Sequence, residues 1–88
     1  MEKRIGTAII LIENKESAVR VNRVLSDHAD CIIGRQGLPR PNGTSIISLV
    51  LEGTTDQLGS LTGQLGRQQG IQVKSAVLKN SSQNEKMV

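Results

Sequence analysis

The sequence predicts an α+β domain of four strands and two helices, in the order β-α-β-β-α-β. Three observations carry this. Asn42-Gly43 stands between two apolar runs in the middle of the chain, the strongest short hairpin signal. Each side of that hairpin carries one strand-like run and one segment with helical spacing. Two of the strand-like runs, Ala8–Ile12 and Ile46–Leu51, are apolar on both pleat faces, as central strands are. The usual packing for this order is the ferredoxin-like arrangement, a four-stranded antiparallel sheet with both helices on one face.

The elements follow in turn. Ile5 to Ile12 forms the first strand, broken by Glu13-Asn14-Lys15, where Asn14 is a good helix N-cap and Glu16 adds first-turn charge. A helix runs from about Lys15 to Ser26, with Ala18, Val21, Val24 and Leu25 on one stripe and Arg20 and Arg23 off it. Cys31-Ile32-Ile33 opens the first hairpin strand and Ser45 to Leu51 forms the second. Pro39 and Pro41 lack ladder donors, which confines the connection to a loop or a sheet edge. Gly34 and Gly37 mark a bulge or a close approach within the strand.

Thr54 or Thr55 caps a second helix that runs to about Gln69, with Leu58, Leu61 and Leu65 on its apolar stripe and Gly70 as its stop. Gly59, Gly63 and Gly66 cluster on one flank of that helix, roughly 100° from the leucine stripe. They reflect either drift on a tolerant surface or close approach by another element. Ile71, Val73 and Val77 make a half-buried last strand. The domain therefore covers residues 1–79, and the polar, aperiodic stretch 80–88 is expected to be a disordered tail.

Composition limits the function classes. The chain has 88 residues and no Phe, Tyr or Trp, so its core is small and aliphatic and oligomerisation is the natural remedy. Two helices leave one face of an apolar sheet uncovered, and soluble proteins avoid exposing such a patch. At least a dimer is expected, through the helix-free face. Which alternate set of the first strand faces the helices, Ile9 with Leu11 or Ile10 with Ile12, is not readable from the pattern. The net charge of +3 is spread over eleven scattered basic residues, and with no stacking aromatics no specific nucleic-acid binding is expected. No run approaches membrane length and no signal peptide is evident, which points to the cytoplasm.

No catalytic constellation is visible, so no enzyme activity and no cofactor are expected. Asp27, His28, Asp30 and Cys31 lie together, but one His and one Cys match no closed zinc motif, and no metal site is expected. His28 reads as a residue at the negative end of the first helix and Cys31 as a small buried strand residue. Gly34-Arg35-Gln36-Gly37 lacks the strand, loop and helix context of a phosphate loop, and Arg35 and Arg40 read as solvated.

The opening MEKR, the central GRQGLPRPNGTSIISLVL and the later LGSLTGQLGRQQGIQVKS resemble the small proteins named iron-only hydrogenase system regulators, over about residues 1–79. That family is ACT-like and similar to the sensor half of nickel-responsive repressors. The resemblance implies a ferredoxin-like, ACT-like domain, assembly into homo-oligomers (a dimer or tetramer), and a regulatory, transcription-related role. The nickel repressors carry a ribbon-helix-helix DNA-binding segment and several nickel-binding histidines, and this sequence shows neither. In ACT domains small effectors bind near the turn after the first strand, against a neighbouring subunit, which by analogy points to Glu13, Asn14 and Lys15. The alternative function is a structural adaptor whose apolar face and edges bind a larger protein partner.

Overall fold

A computed structural model of the protein describes residues 2–79. The expected tail, 80–88, lies outside the described residues. The elements are β1 (Arg4–Ile12), α1 (Lys15–Asp27), a short 3-10 turn (Ala29–Cys31), β2 (Ile32–Pro39), β3 (Ser45–Gly53), α2 (Thr55–Gly66) and β4 (Ile71–Val77). The sheet order is β2-β3-β1-β4 and every pairing is antiparallel. This is the ferredoxin-like α+β fold, with the two doubly apolar strands, β1 and β3, in the centre.

Burial resolves the alternation that the pattern left open. Ala8, Ile10 and Ile12 of β1 and Ile47, Leu49 and Leu51 of β3 are buried beneath the helices. Ile9, opposite Ser48, lies on the helix-free face and is 54% exposed. Val21, Val24 and Leu25 of α1 and Leu58, Leu61 and Leu65 of α2 complete one aliphatic core, with Cys31 at its end. Burying each such side chain contributes roughly 1.5–3 kcal/mol.

Local chemistry sets the boundaries. The Asn14 Oδ1 accepts from the Ser17 backbone N–H at 2.9 Å and caps α1. Thr54 rather than Thr55 caps α2, through a reciprocal box. The Gln57 N–H donates to the Thr54 hydroxyl at 3.2 Å, and the Thr54 N–H donates to Gln57 Oε1 at 2.8 Å. The end of α2 corrects the expected stop near Gln69. The helix closes at Gly66, where the Arg67 and Gln68 N–H groups bond to the carbonyls of Gln64 and Leu65, three residues back. Gly70 then adopts φ +77° and turns the chain into β4.

The hairpin strand also begins one residue later than expected, at Ile32, because Cys31 belongs to the 3-10 turn. The β2–β3 ladder shifts register between Ile32 and Gly34, leaving Ile33 as a bulge. The connecting turn is not a two-residue Asn-Gly type. The Gly43 N–H reaches the Arg40 carbonyl at 3.2 Å and the Arg40 N–H reaches the Thr44 carbonyl at 2.8 Å. Gly43 alone takes positive φ, +88°, while Asn42 Oδ1 accepts from the Thr44 hydroxyl at 2.7 Å. Pro41 thus sits inside a wider turn, with Gly43 as a bulge glycine.

Candidate functional site

Antiparallel pairing gathers the loops at two ends of the sheet. One end carries the β1–α1 loop, the β2–β3 hairpin and the α2–β4 turn. The other carries the α1–β2 connection and the start of α2.

At the first end stand the sequence-predicted residues Glu13, Asn14 and Lys15. The Glu13 N–H donates to the Gly70 carbonyl at 2.9 Å, tying the loop to the α2–β4 turn. Ser17, buried in the first turn of α1, donates its hydroxyl to the Gln69 carbonyl at 2.9 Å. The Arg20 guanidinium donates to the Ser17 hydroxyl oxygen at 3.1 Å and to the same carbonyl at 3.2 Å. Gly70 packs against Ser17 so closely that an added Cβ would collide with the hydroxyl and stand 3.3 Å from the Ser17 Cβ. The loop is therefore braced, with the Asn14 acceptor committed to the helix cap. Glu13 and Lys15 remain exposed and supply one charge of each sign.

At the opposite end, Asp27, His28, Asp30, Asp56 and Ser60 line a cleft of about 300 Å³. His28 bonds to the Val24 carbonyl through Nδ1 at 2.8 Å. A carbonyl only accepts, so Nδ1 carries the proton. In the neutral ring Nε2 then accepts from the Ser60 hydroxyl at 3.0 Å. Cys31 is buried, with its thiol donating to the His28 carbonyl at 3.4 Å. Burial pushes the Cys31 thiol above its ordinary value, and the nearby Asp30 charge adds to this while a backbone hydrogen bond opposes it. The thiol is the less reactive form. Among the described residues, no three His, Cys, Asp or Glu side chains come together to hold a metal ion.

Arg35 and Arg40 do not converge. Arg35 donates to Asn22 Oδ1 at 2.5 Å, beside α1, while the backbone of Arg40 builds the hairpin turn.

Two surfaces remain. The helix-free sheet face displays Ile5, Ile9, Leu38 and Val50 as exposed apolar side chains, flanked by the half-buried Leu11 and Ile46. Glu52 and Lys74 are its charged members. The second surface is not legible as a site in the sequence. A cavity of about 220 Å³ lies between α2 and the β1–β4 pair, with Arg4, Leu58, Gly59, Thr62 and Ser75 in its lining. Its one sequence signal is Gly59, a helix-interior glycine at which an added Cβ would meet no atom within 4 Å.

The model of a protein family, TM1266-like, described as iron-only hydrogenase system regulators, matches residues 4–75. The chain belongs to this family. Protein TM1266 from Thermotoga maritima is 36% identical, with 89% of this chain and 100% of that chain covered and a TM-score of 0.83. The C-terminal domain of the MgtC protein from Mycobacterium tuberculosis is 13% identical, covering 88% of this chain and 89% of that one, with a TM-score of 0.66. CutA1 from Oryza sativa is 14% identical, covering 93% and 86%, with a TM-score of 0.51. The last two share the fold alone. No curated protein matches the chain. No helix of the described residues is long and apolar enough to cross a membrane.

Proposed function

We propose that this TM1266-like chain is a non-enzymatic regulatory domain of the iron-only hydrogenase system, acting in the cytoplasm as a homo-oligomer. The observation that carries the reading is the helix-free sheet face. It displays Ile5, Ile9, Leu38 and Val50, and no element among the described residues covers it. A four-stranded sheet at about 4.8 Å per strand and 3.4 Å per residue spans roughly 19 by 24 Å over seven residues. That projects to about 460 Å², and the relief of the side chains raises the accessible area toward the ~600–1,000 Å² per partner of ordinary stable interfaces. A second copy offers the same surface, and isologous burial of one face on another is the commonest way to close an oligomer.

Regulation then works through assembly. An effector that binds one assembled arrangement better than another shifts the population by its differential affinity. The loop Glu13–Lys15 is the effector-contact region by analogy with ACT domains. Its brace to Gln69 and Gly70 links any ligand there to both α1 and β4. Deleting the gene for this chain tests the reading. The expected outcome is an altered level of iron-only hydrogenase transcript or activity, and unchanged levels under hydrogen-producing growth would remove it.

A further inference from the structure

We propose that the cavity between α2 and the β1–β4 pair binds a small monocarboxylate with a branched apolar body. This rests on the reading of the chain as an effector-binding regulator, and it places a second site at the end of the sheet away from Glu13–Lys15.

One glycine borders the space directly and another lies close behind its wall. On β1, a Cβ at Gly6 would stand 2.9 Å from the Ala76 carbonyl oxygen and 3.7 Å from the Leu58 Cδ1, so glycine there permits the close β1–β4 pairing and the seating of Leu58, which lines the cavity. On α2, Gly59 lines the cavity, and a Cβ there would meet no atom of the described residues within 4 Å, so its lack of a side chain leaves that side of the space open.

The lining states the ligand chemistry. Leu51, Leu58 and Val77 supply apolar wall. Arg4 is the one charge in the lining, and no acidic side chain is among the residues that form it. A guanidinium fork matches a carboxylate through two parallel N–H···O bonds. Thr55 begins α2, so the cavity also opens beside the positive end of that helix, which favours an anion. The Thr62 hydroxyl spends its proton on the Leu58 carbonyl at 2.9 Å, so the hydroxyls of Thr55 and Ser75 are the neutral donors in the lining for a carboxylate. The volume of about 220 Å³ admits a small acid with a branched body.

The test is a chemical-shift titration of the full chain with 4-methylpentanoate, run beside its neutral isostere 4-methylpentanamide. Saturable shifts at the amides of Gly6, Gly59, Thr62 and Ser75 are expected, with the amide binding at least about tenfold more weakly, the loss expected of one charge-assisted contact. Arg4→Gln should weaken the acid by about tenfold and leave the amide unchanged. Gly59→Leu should abolish binding of both. That substitution strengthens the helix, so the variant stays folded and its circular dichroism verifies this. Absence of saturable shifts at tens of millimolar acid overturns the proposal. So do shifts confined to Glu13–Lys15, or undiminished binding by folded Gly59→Leu. Failure of the regulatory reading looks different: binding persists while deletion of the gene leaves the hydrogenase unaltered.

Discussion

Gly70→Ala is a severe substitution by three routes that share one spot. Gly70 sits at φ +77°, where an L side chain costs about 1–2 kcal/mol. The new methyl collides with the Ser17 hydroxyl and lies 3.3 Å from the Ser17 Cβ. Overpacking of this kind costs about 1–3 kcal/mol. Displacing the hydroxyl also weakens the bond to the Gln69 carbonyl, about 1 kcal/mol, and disturbs Arg20 on the same carbonyl. A total of about 3–6 kcal/mol is expected, a large share of the stability of a small domain. Urea unfolding is the assay, with a reduced midpoint and an unchanged slope. In a Ser17→Ala background part of the collision is absent, so Gly70→Ala should cost at least about 1 kcal/mol less there, a non-additivity expected of touching residues. A loss under about 0.5 kcal/mol, or strict additivity, would refute the bracing of β1–α1 against α2–β4.

Other expectations concern separate elements. Ile9→Lys should leave the fold intact and shift the assembly toward monomer in gel filtration, whereas Ile10→Lys, which buries a charge, should unfold the chain by circular dichroism. Thr54→Ala should lower stability by about 1 kcal/mol in urea, because the cap and its Gln57 counterpart are lost together. For Cys31, the folded thiol ionises at higher pH than the unfolded one, so its contribution is complete below about pH 9 and declines as pH rises further. The stability difference between wild type and Cys31→Ala should therefore shrink above about pH 9, by no more than 1.4 kcal/mol per unit, and a pH-independent difference would contradict the burial argument.

The order of elements was legible because each carries a local signal: Asn14 and Thr54 as caps, the leucine spacing of α2, and turn residues around Gly43. The choice between Ile9 and Ile10 was not, since a strand that is apolar on both faces reads the same from either side, and only packing of the helices breaks the tie. The premature end of α2 escaped because Gly66 resembles Gly59 and Gly63 locally, and what differs is the pull of the Gln69–Gly70 turn onto Ser17. Apart from Gly59, long-range contact hid the cavity. Arg4, Thr55 and Ser75 are far apart in sequence and meet through β1–β4 pairing and the seating of α2. The Glu13–Lys15 loop came from family resemblance and not from its own chemistry, and the geometry there explains bracing more directly than binding.

The central claim is that the helix-free face of the sheet is covered by another copy of the chain. Sedimentation velocity of the wild-type protein at micromolar concentration tests it most directly. A dimer or larger closed assembly, dissociated by Ile9→Lys in a variant that keeps its fold, is the predicted result. A well-folded wild-type monomer under those conditions would contradict the account.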